Sequence, residues 1–418
     1  MKKNLILYFG SMSLSLLGNG VAAVLFPLIV LSRTGDIFAA GLLASVSAGT
    51  GVVAGLFGGV VADKVNRRNL SILADLLSGL SIALLAAIDM NSGLTLPVLI
   101  ALSVLGAFAD VPGMTARETL LPQLAPNKRG GLDQLVAARE TLTAAVILVG
   151  PAIGGLVIGI IGVDVRVFFL TGGMSFLAAL LTLGLNRQVG VVEPTETSPI
   201  NKSPLHDLGE GIAFLVKNPI TRGATILSAV TAAAMTVVQS TVMPAYFIAE
   251  GVPQYTGYVF SAIALGTMVG GGMYVASGAR VSRRVWLVFG ILGTGLVMVL
   301  LGALISLWIV LLLALVLGIV SGPASAVLGT ATIDASESQV LGRVLGTQNA
   351  IVLAGPMLLG APMGALAAAA GIRTVGLVLG ILVAAAALWA VLGSSFRNID
   401  EVAAREVEVD GLEHEAAC

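Results

Sequence analysis

Cysteine is nearly absent from this chain of 418 residues: the one present is Cys418, so no internal disulfide can form. There are only two histidines, His206 and His414, far apart in sequence, and no metal site is expected. Charged residues make up 11% of the chain against about 25% in a soluble protein. That scarcity excludes an ordinary globular enzyme. No GxxxxGK[ST] loop occurs, so ATP is not expected to drive the protein directly. The apolar segments also hold no nucleophile with a histidine partner, and neither enzyme activity nor a cofactor is expected.

What the chain has instead is apolar sequence, 57% of all residues. Runs of roughly 20 residues or more recur twelve times, each long enough to cross about 30 Å of hydrocarbon as a helix. They are too long and too continuously apolar for barrel strands, and a lipid-exposed backbone must satisfy its own hydrogen bonds. The expected fold is therefore an all-α polytopic membrane protein of twelve transmembrane helices. Met1-Lys2-Lys3 before the first run suggests a signal peptide, but that run is too long and lacks a clear cleavage site. Of 22 lysines and arginines, only Arg33, Arg166 and Arg373 fall on one side of a twelve-span topology. The positive-inside rule places the other side and both termini in the cytoplasm, which predicts a multi-pass protein of the cell membrane. The lipid bilayer is the expected surround, and nothing points to nucleic acid.

The sequence divides into an N-terminal half (1–186), a polar linker (187–220), a C-terminal half (221–395) and an acidic, solvated tail (396–418). Local features repeat between the halves. Gly150-Pro151 followed by Gly155 returns as Gly355-Pro356 followed by Gly360, an offset of 205 residues. Arg67-Arg68 returns as Arg283-Arg284 at an offset of 216, and Pro112-Gly113 has a looser echo in Gly322-Pro323. Six plus six helices around a cytoplasmic linker resembles the major facilitator superfamily. That resemblance implies alternating access between two six-helix halves, in a chain expected to work as a monomer.

The resemblance sharpens at Gly59-Val-Val-Ala-Asp63-Lys64-Val-Asn66-Arg67-Arg68, which looks like the superfamily's cytoplasmic signature. Asn66 stands where the family usually has glycine, and asparagine tolerates the left-handed backbone such a tight turn needs. Gly59, Asp63, Lys64, Arg67 and Arg68 are thus candidates for a cytoplasmic gate. An alternative reading is that the basic residues only set topology. The C-terminal half lacks the matching aspartate, reading VASGARVSRR at 275–284. Gly150-Pro151-Ala-Ile-Gly154-Gly155 looks like the antiporter motif of drug exporters in the superfamily, and glycines four apart let a neighbouring helix approach closely. Ser47, Gly51, Gly55 and Gly59 make a similar stripe, and Gly266 with Gly270 another. The stretch from Pro112 to Pro122, with Leu132-Asp133 and the glycine-proline motif, resembles the Tap-type multidrug efflux pumps of actinobacteria, relatives of macrolide exporters. It implies proton-coupled export of drugs such as tetracycline and some aminoglycosides.

Ionisable residues inside apolar spans are costly and usually functional. Asp75, Asp110, Arg139 and Glu140 lie roughly 9 to 12 Å from the cytoplasmic helix ends at 1.5 Å per residue, and are read as one layer holding the proton-coupling group. A structural ion-pair cluster is the alternative, and Glu118, nearer the surface, reads as structural. The segment 102–109, LSVLGAFA, lacks the arginine that many proton-driven relatives carry there. Candidates to line a substrate cavity are Asn19, Arg117, Thr236, Gln239, Ser240 and Ser321. So few polar groups favour a small-molecule drug that is amphipathic or cationic over a sugar or phosphate. Alternatives are export of a physiological amphiphile (siderophore, lipid or peptide) and a non-transporting membrane sensor.

Overall fold

The computed structural model describes residues 2–125, 131–191, 204–336, 340–393 and 396, with only the backbone described at 2, 56–64, 204–207 and 279. The described residues form helices α1 (Lys2–Thr34), α2 (Ile37–Lys64), α3 (Arg67–Ser92), α4 (Leu96–Leu124), α5 (Gly131–Ile161), α6 (Val167–Leu183), α7 (Pro204–Lys217), α8 (Pro219–Val237), α9 (Met243–Ala249), α10 (Tyr255–Ser277), α11 (Arg283–Gly302), α12 (Leu307–Asp334), α13 (Leu341–Ala370) and α14 (Ile372–Leu392). Among the described residues, eleven segments are long and apolar enough to cross a membrane, one of them the continuous run Pro219–Ala249 through α8 and α9. With the shorter apolar α6 they make twelve, as expected from the sequence.

Local chemistry sets the boundaries. Between α1 and α2 only Gly35 and Asp36 intervene. Gly35 takes φ +64°, which a Cβ would oppose, while Asp36 accepts the amide of Phe38 at 2.8 Å and starts the next helix. Asn66 opens α3 as an N-cap, its side chain accepting the Asn69 amide at 3.2 Å, with φ −56°. The left-handed turn expected of it does not form; asparagine serves here through its side-chain oxygen. Asn218 does the same for α8, accepting from Ile220 at 3.0 Å and Thr221 at 3.3 Å.

The polar linker contains a helix that composition did not foretell. In α7, Gly211 and Leu215 are buried while Ile212 and Val216 face outward. The absence of a side chain at Gly211 lets α7 lie on α13, where an added Cβ would stand 2.8 Å from the Thr347 Cβ. Between α8 and α9 the backbone widens into a π-turn over Val238–Val242, closed by the Met243 amide reaching back to the Val238 carbonyl.

The chain forms two compact units. The first comprises Met1–Ile200, Val237–Ser261 and Met357–Ala369; the second comprises Asn201–Thr236, Ala262–Pro356 and Ala370–Cys418. In the first, α1 packs on α5 and α6, and α3 on α4 and α6. In the second, α11 packs on α12 and α14, around a core that includes Leu287, Ile291, Val327 and Ala387.

Candidate functional site

The helices α3 and α4 approach closely because Gly113 faces Ala74 with no room for a Cβ. That contact brings the next residues of each helix together. Asp75, 5% exposed, meets Arg117, 8% exposed, in an ion pair of 2.5 Å. Two charges withdrawn from water are tolerable only when paired and hydrogen-bonded. Ser15 of α1 completes the set, donating to the other Asp75 oxygen at 3.1 Å. The Tyr8 hydroxyl donates to the Arg117 carbonyl at 3.2 Å and fixes the base of α1 against α4.

Residues three and seven positions along share a helix face, so Ser78 on α3 and Asp110 on α4 continue the same seam. Asp110 is half-buried, lies against Ser78, and is within electrostatic range of Asp75 and Arg117. Ser81 follows, facing Gly106. This polar seam opens into a cavity of about 320 Å³ in the first unit. Asn19, Ser47, Ser78, Ser81, Ser103 and Asp110 supply its polar lining, with Phe26, Ile82, Leu102 and Phe168 among its apolar walls.

The single layer read from the sequence divides in two. Asp75 and Asp110 belong to the seam. Arg139 instead pairs with Glu118 at 2.5 Å and lies 3.6 Å from Glu140, on a face where Glu118 and Glu140 are exposed. Depth was legible for Asp75 and Arg139, eight residues into α3 and α5. Asp110, however, lies about 21 Å from the end of α4, because that helix continues to Leu124. The direction each side chain faces was not legible. Arg117, a cavity candidate by sequence, is held by Asp75 and is not among the cavity's lining residues. Tyr8, Ser15 and Ser78 escaped sequence reasoning. Short hydroxyl side chains are common in apolar helices, and only the opposing carboxylate distinguishes these.

The antiporter-motif residues are all buried and act by closeness. A Cβ at Gly150 would stand 3.1 Å from Gly20 of α1, at Gly154 3.4 Å from Val21, and at Gly155 2.6 Å from the Gln254 carbonyl just before α10. Pro151, lacking an amide, sits where α5 meets Gly20 and Gly257. The repeated motif works alike: Gly355 meets Ala229 of α8 within the second unit, and Gly360 meets Gly41 and Ser45 of α2 within the first. By contrast, Gly51 and Gly55 face open space, so that expected stripe is not a packing seam among the described residues. Gly266 and Gly270 do pack, against α12.

Of the gate candidates, Gly59, Asp63 and Lys64 fall in the last turns of α2, where the side chains lie outside the described residues. The two arginines are tied to backbone carbonyls. Arg67 reaches Thr119 of α4 at 3.3 Å, and buried Arg68 reaches Leu183 of α6 at 2.6 Å. The Arg67 amide also donates to the carbonyl of Gly190, which at φ +93° lets the segment after α6 fold over the start of α3. Gln123 accepts the Gly190 amide at 2.5 Å and holds that segment to α4.

The remaining cavity candidates are dispersed. Ser321 lines a second cavity, of about 460 Å³, inside the second unit. Thr236 bonds the Ala232 carbonyl of its own helix, and Gln239 and Ser240 lie in the π-turn; none of the three lines either cavity. Among the described residues, no group of three or more histidine, cysteine or carboxylate side chains is placed to hold a metal.

Comparisons with known proteins accord with this architecture. The family model described as Major Facilitator Superfamily matches residues 8–279. The chain is 31% identical over 387 residues to the multidrug efflux pump Tap of Mycolicibacterium fortuitum, covering 92% of this chain and 94% of that protein. It is 26% identical to the enterobactin exporter EntS of Escherichia coli, covering 85% and 83%. A solved structure of a variant of the nucleoside transporter NupG superposes with a TM-score of 0.76 at 14% identity, over 93% of this chain and 98% of that one, a likeness of fold alone. The chain belongs to the major facilitator superfamily.

Proposed function

We propose that this protein exports amphipathic drugs across the cytoplasmic membrane, with both termini in the cytoplasm, and that inward proton flow drives the export. The observation that carries the reading is Asp110. It is a carboxylate on the wall of a mostly apolar cavity, one seam away from a buried acid–arginine pair. A carboxylate placed so can take a proton or attract a cationic cargo, and the two events compete for one charge. That competition is the elementary requirement of an exchanger: proton arrival releases cargo, and cargo arrival releases the proton. Asp75 and Arg117 serve as the fixed partner pair whose charge balance Asp110 perturbs. Neither half holds a cofactor in this reading; the proton gradient supplies the energy.

The similarity to Tap pumps favours drugs as cargo. The similarity to the enterobactin exporter favours a second reading, a physiological amphiphile such as a siderophore with drugs as incidental cargo. The test is efflux of ethidium and tetracycline from proteoliposomes with and without an imposed pH gradient. Transport of either drug only with the gradient is the expected result. Failure to move both under any gradient removes drugs from the reading and leaves the physiological amphiphile.

A further inference from the structure

The second unit contains an open cavity of about 460 Å³ between α8, α11, α12, α13 and α14. Its size falls in the range of about 300–1,000 Å³ typical of small-molecule sites. No charged side chain is among its lining residues, yet the lining is rich in hydroxyl and amide groups.

In an apolar helix a serine or threonine ordinarily bonds a carbonyl of its own helix. That rule holds through much of this unit: Thr225 bonds Thr221, Thr267 bonds Ile263, Thr294 bonds Gly290 and Ser321 bonds Gly318. Four cavity residues depart from it. Ser228 and Thr231 of α8, Ser325 of α12 and Asn349 of α13 make no hydrogen bond among the described residues, and all four line the cavity. Ser228 lies nine residues from Pro219, Ser325 nine from Asp334 and Asn349 eight from Leu341. Each is thus about 12 to 14 Å from its helix end, and three helices present free polar groups at one depth. Ser325 and Asn349 are exposed and Ser228 and Thr231 half-buried, so all four present their hydrogen-bonding groups to the cavity, where a ligand or water can take them.

We propose that this cavity is a recognition site for the uncharged, hydroxyl- and amide-bearing part of an amphipathic ligand, with Asn349 and Ser325 as its principal hydrogen-bonding residues. With no carboxylate in the lining, a cationic group gains nothing there. The site therefore discriminates by hydrogen bonding, whereas the Asp110 cavity discriminates by charge. The inference rests on the exporter reading only for its cargo; the binding itself does not require transport.

The test uses the full chain in lipid nanodiscs with two fluorescent probes, tetracycline (rich in hydroxyl and amide groups) and ethidium (a permanent cation). Asn349→Leu and, independently, Ser325→Ala are expected to weaken tetracycline binding by about five- to tenfold, the scale of one lost hydrogen bond, with ethidium binding changed less than about twofold. Equal weakening of both probes, unchanged tetracycline binding, or no saturable tetracycline binding by wild type overturns the proposal. A second measurement places Val352→Cys, at an apolar lining residue, in a Cys418→Ser background and follows labelling by a small thiol reagent. Protection by tetracycline supports the site. Labelling that tetracycline leaves unchanged means a water-filled space only and overturns it. Protection in a protein that transports neither probe retains the site and defeats the exporter reading; transport without protection does the reverse.

Discussion

The two units are built from repeated elements but place charge differently. In the first, an acid and an arginine sit deep between α3 and α4 with a third ionisable group, Asp110, on a cavity wall. In the second, the described ion pairs lie near helix ends: Arg283 at the start of α11 with Asp334 at the end of α12, and Arg343 in the first turn of α13 with Glu210 of α7. Its cavity is neutral. One scaffold thus carries two chemistries, because the backbone contacts that define the scaffold come from glycines and leave the polar positions free to diverge. Gly150 and Gly355 illustrate this: each seats its helix against the first helix of its own half, α1 or α8.

The comparison breaks most visibly at the ion pairs. Arg117→Ala leaves Asp75 buried without its partner and is expected to cost about 3–5 kcal/mol, seen as a lowered melting temperature and lost monodisperse protein. Asp75→Asn added to that variant recovers part of the loss. Arg343→Ala, at a pair where both side chains are more than a third exposed, is expected to cost at most about 1 kcal/mol. Similar losses for both arginines would erase the distinction between the units.

A second contrast concerns the glycines. Gly155→Leu forces a side chain against the Gln254 carbonyl and is expected to destabilise by about 1–3 kcal/mol, whereas Gly51→Leu, with nothing within 4 Å of its Cβ position, stays within about 0.5 kcal/mol. Thermal melts of the two variants check it. Ser15→Ala, which removes one hydrogen bond to Asp75, is expected to cost about 1 kcal/mol by the same assay.

The smallest effect lies in the link between α5 and α6. Arg166 donates from its guanidinium to Asp164 and holds that carboxyl below its usual range. A depressed carboxyl pKa contributes stability that is present above the ordinary aspartate range and lost as pH falls through the depressed value. Melting temperatures of wild type and Arg166→Ala should differ slightly at neutral pH and converge in strong acid.

Much of the fold is legible because length and apolarity suffice to name a membrane helix, and because Gly150-Pro151 and Arg67-Arg68 recur where equivalent helices must touch. The helix α7 is not, since its buried face, Gly211 and Leu215, is too short to stand out in a polar linker. The charged site is half legible. A rise of 1.5 Å per residue fixes how deep Asp75 and Arg139 lie, whereas Asp110 lies deeper than expected because α4 runs on to Leu124, and rotation about the helix axis depends on neighbours. The Gly113–Ala74 contact turns Asp75 toward Arg117, while Arg139 faces Glu118. The neutral cavity is the least legible, because Ser228 or Ser325 reads in sequence as a hydroxyl satisfied by its own helix.

The most direct test of the charge asymmetry is transport by Asp110→Asn and Glu140→Gln in proteoliposomes, comparing drug accumulation driven by a pH gradient with gradient-free drug exchange. The account predicts that Asp110→Asn loses gradient-driven accumulation while retaining exchange, and that Glu140→Gln, exposed beside Arg139, behaves as wild type. Gradient-driven transport intact in Asp110→Asn, or lost in Glu140→Gln alone, would contradict it.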